Sequence, residues 1–230
     1  ATSEAAATSV EPATTAVQAT TEAPATTAEE DPATTAEDPP PDPEPDPFDR
    51  LAEDAVAPKA GWPPRSAADV AQFVGGAAGQ AVTYRAPSNQ VFTIARSGDA
   101  VAVSVTRPTS PEQLWAGFKG GRAVWGCYRF RGQGVQCDGL AVANAEFTGL
   151  VRDYEGLLLR ETRRIARRAG AKAVIRKGLG GRSLVCATRG KERACVDESG
   201  AVLDLVLASG DRVNATRIRD TTAKDLAQPG

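Results

Sequence analysis

Short stretches in which apolar residues alternate with polar or small ones recur along the chain, and this period of two indicates β-strands. Before the longest helical pattern such stretches occupy residues 80–86, 90–97 and 100–107, and after it they occupy 171–177, 182–188, 193–197, 201–207 and 212–218. Turns that carry Gly, Ser or Asn separate consecutive stretches. Connections this short join neighbouring antiparallel strands, so the pattern predicts two antiparallel meanders.

A period near 3.6 residues indicates two helices. Ser66 followed by Asp69 is typical of a capping box at the start of the first helix. The second helix covers 145–168 and should end with Gly170 as its C-terminal cap, because glycine adopts the left-handed backbone that such caps require. Residues 108–118 are bounded by prolines and are predicted as a connection with one helical turn.

The order of these elements is helix, about five strands, helix and again about five strands. Local connections within each half and a helix between the halves are typical of the α+β class. We therefore expect one large curved antiparallel sheet, made of two meanders, with helices on one face.

The four cysteines fall into two close pairs, Cys127 with Cys137 and Cys186 with Cys195. Gly190-Lys191 suits a two-residue type II′ turn, whose first position needs a positive φ. Counting outward from this turn places the later pair in directly facing positions, close enough for a disulfide, and an odd-length loop would do the same for the earlier pair. Two local disulfides predict an oxidising, extracytoplasmic compartment, and four reduced, buried cysteines are the alternative.

The composition of the chain changes near residue 57. Residues 1–56 are mostly Ala, Thr, Pro, Glu and Asp, with 14 acidic residues and one basic residue. Because no segment there can bury an apolar core, we expect a disordered acidic tether, extended by proline and by repulsion between like charges. Residues 57–65 are then a linker, and residues 66–230 form the α+β domain.

The remainder of the chain is basic, although the whole chain has a net charge of −2. Residues 57–230 hold 26 Lys and Arg against 15 Asp and Glu. Such a domain is expected to meet an anionic partner, or to be neutralised by its own acidic tail. The predominance of Arg over Lys and the abundance of Ala are typical of a GC-rich, actinobacteria-like source. We expect a secreted protein, or one tethered to the outer face of the cell membrane, with a signal or anchor removed upstream.

The element order, closing in "ATRIRDTTAKDLAQPG" with its polar segment and Pro229, resembles the half-barrel of the LolA/LppX/LprG-like envelope lipoproteins. The resemblance covers roughly residues 66–230. It implies a sheet curved into a half-barrel, helices packed on its concave face, and an acyl chain or lipid bound between them. The chain departs from the family in carrying paired cysteines inside hairpins and in lacking the cysteine of a lipoprotein attachment site.

A strongly curved sheet with helices across its open side leaves space that side chains cannot always fill, and an apolar pocket there is a natural ligand site. The alternative is that the same side chains form an ordinary packed core. The expected wall and lip residues of the cavity are Tyr84, Phe92, Ile94, Val103, Trp115, Phe118, Trp125, Leu203 and Leu205.

The end of the second predicted helix is rich in arginine. Spacings of three and four residues stack the guanidinium groups along one side of a helix, where they could contact phosphate head groups. The alternative is a solvated polar face opposite the apolar one. The residues of this band are Arg160, Arg163, Arg164, Arg167 and Arg168.

The chain has no histidine, which excludes histidine-based acid–base catalysis, a Ser-His-Asp triad and histidine-ligated metal. The segment "GLGGR" (178–182) lacks the Gly-Lys-Ser/Thr ending of a phosphate loop and is predicted to be a turn. We therefore expect a monomeric, non-catalytic envelope module without cofactor or metal, which binds a lipid or amphiphile. The alternative is a surface interaction domain with a filled core, which binds an anionic membrane or cell-wall surface through the arginine helix. Nucleic acid is not expected as a partner.

Overall fold

The computed structural model describes residues 46–55, 58–75, 79–107, 112–130, 132–137 and 145–230, and for 145–148 and 150 it describes the backbone only. The predicted tether before residue 46 lies outside the described residues. In the first half of the described chain, the strands are β1 (Gln80–Arg85), β2 (Val91–Ser97), β3 (Ala100–Thr106), β4 (Gln113–Lys119) and β5 (Arg122–Arg129). In the second half they are β6 (Lys172–Lys177), β7 (Ser183–Arg189), β8 (Glu192–Val196), β9 (Val202–Val206) and β10 (Arg212–Asp220).

All ten strands belong to one antiparallel sheet with the order β5-β4-β3-β2-β1-β10-β9-β8-β7-β6. Each half is a meander, as the short turns predicted. The halves join where β1 pairs with β10, from Gln80 opposite Asp220 to Arg85 opposite Asn214. The sheet does not close, because β5 and β6 remain its two edges. The predicted α+β class and the large antiparallel sheet are confirmed.

The described residues form four helices: α1 (Pro47–Glu53), α2 (Ala67–Phe73), α3 (Ala145–Ala166) and α4 (Ala223–Leu226). The capping box predicted for α2 is present, since Asp69 N donates to Ser66 Oγ and Ser66 N donates to Asp69 Oδ2. Gly170 has a positive φ of 78°, but α3 ends at Ala166 and not at residue 168, so Gly170 lies in the turn before β6 and the predicted capping role is corrected. None of the helices in the described part of the chain combines the length and the apolar character needed to span a membrane.

The stretch predicted as a connection with a helical turn, residues 108–118, contains strand β4 instead. Leu114, Ala116 and Phe118 alternate with Gln113 and Trp115, and the first three side chains are buried. The spacing of Leu114 and Phe118 fits both a helix and a strand, so the period alone was ambiguous over this short run. The structure therefore corrects the prediction to the fourth strand of the first meander.

Composition also assigned residues 46–54 to the disordered tether, whereas in the structure they carry α1. Asp46 caps this helix by accepting a hydrogen bond from Phe48 N. Leu51 is buried, and its carbonyl oxygen accepts a hydrogen bond from Trp62 Nε1 at 3.2 Å. Asp46 and Asp49 both pair with Arg65. One buried leucine and these contacts tie α1 to the domain, and they depend on partners that a local composition count cannot see.

The two faces of the sheet carry different side chains. On the face that we call the helix face, Phe92 lies opposite Val105 and Ile94 opposite Val103, and α3 packs against strands of both meanders. On the opposite face, Ser104 lies beside Trp115, and Trp115 beside Cys127. The helix face therefore supplies the hydrophobic core, and the opposite face carries tryptophan, disulfide and charged side chains.

Both predicted disulfides are present. Cys186 faces Cys195 in the register counted outward from the turn, with Arg189 opposite Glu192. Gly190 has the positive φ, 58°, that the type II′ turn needs. Cys127 and Cys137 are also bonded. The register predicted for the second hairpin, from its turn to the Cys186–Cys195 disulfide, is thus confirmed.

Gly117 leaves room for the indole ring of Trp125 on the opposite face. A Cβ atom at this position would lie 2.7 Å from Trp125 Cζ2 and nearer still to two other ring atoms. We predict that Gly117→Ala lowers the free energy of unfolding by about 1–3 kcal/mol, because the ring must move off the sheet. Urea unfolding measures this, and Gly134→Ala, where a Cβ meets no atom within 4 Å, is the matched control. Equal stability of the two variants would contradict the packing described here.

Candidate functional site

Seven of the nine side chains predicted to line a ligand cavity lie buried in the hydrophobic core: Tyr84, Phe92, Ile94, Val103, Phe118, Leu203 and Leu205. The rings of Tyr84 and Phe92 stack with centroids 4.9 Å apart, and Phe92 lies 5.0 Å from Tyr154 of α3. The cavity that Tyr84 and Ile94 line with Leu158 has a volume of about 20 Å³. That is the room for a water molecule, not for an acyl chain. At these residues the side chains fill the space between sheet and helix.

A polar pair lies at the margin of this small cavity. Arg96 of β2 and Glu155 of α3 form an ion pair of 2.6 Å, and both side chains are largely buried. Burial raises the pKa of Tyr84 well above its usual range, so the phenol stays protonated at neutral pH. The pair therefore links the helix to the first meander by charge, while the neighbouring tyrosine remains neutral.

Trp115 and Trp125 do not reach this core, because both side chains lie on the opposite face. They line a groove of about 700 Å³ together with Thr93, Ser104 and the C-terminal segment 222–230. Trp125 Nε1 donates to Leu226 O at 3.2 Å, which holds α4 beside the groove. The predicted cavity residues are thus divided between two faces of the sheet.

Asp225 fixes the C-terminal segment at the rim of this groove. It forms a bidentate ion pair with Arg219 of β10 and accepts a hydrogen bond from Thr222 N at 2.8 Å. The Arg219 guanidinium holds the pKa of Asp225 far below its usual range. The carboxylate therefore stays charged in mildly acidic solution, and the segment stays attached to the sheet.

The arginine band on α3 is partly neutralised within the domain. Arg164 and Arg168 each donate to the carboxylate of Glu192 on β8 at 2.6 Å, and Arg164 also pairs with Glu161. Arg160 lies 3.6 Å from Asp153. These three arginines connect the helix to the sheet or to its own preceding turns.

Arg163 and Arg167 differ from the other members of the band. Both side chains are exposed, and neither has a hydrogen-bond or ion-pair partner among the described residues. Lys59 lies near Arg163: burial lowers the pKa of Lys59, and the charge of Arg163 lowers it further. We call Lys59, Arg163 and Arg167 the basic surface. The sequence identified two of its members, and Lys59 could be found only from the folded structure.

A second group of cations, which the sequence pattern did not indicate, lies on the opposite face of β6, β8 and β10. Arg176, Arg193 and Arg212 line a pocket of about 330 Å³ with Asp204 between them. The alternation in 212–218 places Arg212 and Asn214 on one face. Only the register of β10 against β9, however, brings them to Asp204. The alternation along β10 was visible in the sequence, but it could not identify this pocket without knowledge of which strand pairs with β10.

No protein-family model and no curated protein sequence matches this chain. Among the described residues, no three Cys, Asp or Glu side chains converge as they would to hold a metal ion. Candidate functions for the protein therefore rest on the geometry of the two basic groups and the tryptophan groove.

The pairing of Glu192 with two arginines should make stability depend on pH. The hydrogen bond from Arg164, with the charge of Arg168, lowers the pKa of Glu192 below its ordinary 4.5. A carboxyl group with a lowered folded-state pKa stabilises the fold above its unfolded pKa, and this stability is lost as the pH falls through the folded value. We predict that Glu192→Gln costs about 1–2 kcal/mol at pH 7, and that its deficit shrinks below about pH 4.

Urea unfolding of the wild type and of Glu192→Gln at pH 7 and pH 3 measures this dependence. Glu112→Gln is the control, because Glu112 forms an ion pair with a single arginine at 3.8 Å, which is too long for a hydrogen bond. A deficit for Glu192→Gln that is the same at both pH values would contradict the role assigned to the carboxylate.

Proposed function

We propose that this protein is an extracytoplasmic, non-catalytic module that binds an anionic membrane surface through the basic surface of Lys59, Arg163 and Arg167. The observation that carries the proposal is a pair of exposed arginines, Arg163 in α3 and Arg167 just beyond its end, which have no acidic partner among the described residues. The two disulfides are compatible with an oxidising compartment. The filled packing around Phe92 and Leu205 supports a surface function over an internal ligand site.

The energetics of α3 support the same proposal. Arg163 and Arg167 are separated by one helical turn, and like charges at this spacing destabilise a helix by about 0.2–0.5 kcal/mol. A cation near Arg163, Lys59, increases this repulsion. Glu192 of β8 already forms ion pairs with Arg164 and Arg168. The attachment of the helix to the sheet therefore does not require Arg163 or Arg167. Phosphate head groups would offset the repulsion, since each basic residue near an anionic bilayer contributes about 1 kcal/mol of attraction.

Vesicle binding tests this proposal. We expect Arg163→Gln/Arg167→Gln to bind vesicles of phosphatidylglycerol and phosphatidylcholine at least about tenfold more weakly than the wild type, from the loss of two such attractions. The stability of the variant should be unchanged or slightly higher. Lys119→Gln/Arg122→Gln removes the same charge at the exposed ends of β4 and β5, on either side of their turn, and is the matched control.

Wild-type binding should fall as salt is raised and should vanish on vesicles of phosphatidylcholine alone. Equal loss of binding in the two double variants would show a net-charge effect and would contradict the assigned surface. Binding to an anionic cell-wall polymer without binding to the vesicles would also overturn the membrane as partner.

A second candidate function is the binding of an amphiphile, and the groove of about 700 Å³ beside Trp115 and Trp125 favours it. Arg129 lies over the Trp115 ring at 5.9 Å, which provides a cation beside an apolar surface. In this proposal the sheet curves as a half-barrel with α2 and α3 on its concave side, and the amphiphile lies on the convex side. Of the nine predicted wall residues, Trp115 and Trp125 would then contact the ligand, and the other seven pack in the hydrophobic core.

Calorimetric titration with dodecylphosphocholine below its micellar concentration tests the groove. We expect one molecule to bind the wild type, and Trp115→Ala to weaken binding about tenfold, the loss of roughly 1.5 kcal/mol of apolar burial. Val124→Ala removes an exposed apolar side chain that does not line the groove and should bind as the wild type does. Absence of saturable heat, or equal affinity of Trp115→Ala, would remove this candidate.

A further inference from the structure

The pocket on the opposite face of the second meander holds an excess of positive charge. Its volume is about 330 Å³, and its charged lining consists of Arg176, Lys177, Arg193, Arg212 and Asp204. Three arginines thus face one carboxylate in a concave site, whereas Lys177 points to the other face of β6, where it contacts Ser183. This arrangement differs from a flat solvated face, because the charges come from three strands and converge on one space.

Asp204 orients two of these cations without satisfying them. Its side chain is largely buried, and it accepts hydrogen bonds from Arg193 Nε at 2.8 Å and from Arg212 Nε at 2.7 Å. One carboxylate charge cannot neutralise two guanidinium groups. The terminal nitrogens of Arg212 have no hydrogen-bond acceptor among the described residues, and this side chain remains more than half exposed. Asp204 therefore fixes the direction of the arginines and leaves donors available.

The wall across the pocket is supplied by β6 and the turn that follows it. Arg176 is exposed and has no partner in the described part of the chain, whereas Lys177 Nζ donates to Ser183 Oγ at 2.8 Å. Leu179 and Leu184 also line the pocket, together with Cys195 of the second disulfide. An apolar surround weakens competition from water and strengthens the attraction of the cations for an anion.

We propose that this pocket binds a phosphate group, held by Arg176 and Arg212 with Arg193 and Asp204 as its positioning residues. Guanidinium groups donate paired hydrogen bonds to phosphate oxygens. A phosphate dianion would balance the charge of the three arginines better than the single carboxylate of Asp204 does alone. The site is distinct from the basic surface on α3, since it lies on the other face of the sheet. It is therefore independent of vesicle binding by Arg163 and Arg167.

Nuclear magnetic resonance titration of the ¹⁵N-labelled full chain tests the site. The probes are inorganic phosphate and glycerol 3-phosphate, each added at constant ionic strength set with chloride. We expect saturable shifts confined to backbone amides of β6, β8, β9 and β10. Tighter binding of glycerol 3-phosphate would identify a phosphate ester as the natural source, and tighter binding of inorganic phosphate would identify the free anion.

Arg176→Gln should weaken binding of the better probe about tenfold, the loss of one charge-assisted pair of hydrogen bonds, without lowering stability. Arg212→Gln should weaken binding to a similar extent with a modest loss of stability, because Arg193 remains to hold the buried Asp204 in that variant. Arg122→Gln, an exposed change of equal charge on β5, is the control and should bind as the wild type does. Absence of saturable shifts with both probes, or equal weakening in Arg122→Gln, would overturn the proposal.

Discussion

The pairing of β1 with β10 is the constraint on which the rest of this structure depends. These strands come from opposite ends of the folded chain, yet they pair along the length of β1, from Gln80–Asp220 to Arg85–Asn214. Every other strand contact lies within one meander. Closing so long a loop costs conformational entropy before any contact stabilises it. The burial of α3 against strands of both meanders offsets this cost, because the helix needs one continuous sheet beneath it.

That constraint also decides where binding can take place. With both meanders joined, Phe92, Val103 and Leu205 form parts of one core, and the aromatic contact of Phe92 with Tyr154 closes it against the helix. Apolar side chains used in this way are not free to line a ligand cavity. The remaining candidate sites are on surfaces: two arginines at the end of α3 that have no partner in the part of the chain that the structure describes, a basic pocket on the opposite face, and a tryptophan groove beside the C-terminal segment. The core thus lies between the sheet and α3, and the candidate binding residues lie at the exposed end of this helix and on the opposite face of the sheet.

Local features of this fold could be predicted from the sequence because their causes are local. The Ser66–Asp69 capping box, the Gly190 turn and the facing of Cys186 and Cys195 each follow from residues only a few positions apart. The ambiguous period at Leu114 and Phe118 hid a strand. The nine residues predicted to line a cavity include side chains from both faces of the sheet. A strand period of two residues separates the two faces but does not say which one is buried. Likewise, the division of the arginine band depends on Glu192, which lies on another element and comes near α3 only in the folded chain.

Native-state hydrogen exchange of the β1 and β10 amides tests most directly whether the two meanders form one cooperative sheet with a single core. If they do, amides paired between these strands will exchange with the same opening free energy as the central amides of β3 and β8, close to the free energy of global unfolding. If the β1–β10 amides instead exchanged by a separate opening of much lower free energy, while each meander stayed protected, the single continuous core would be contradicted.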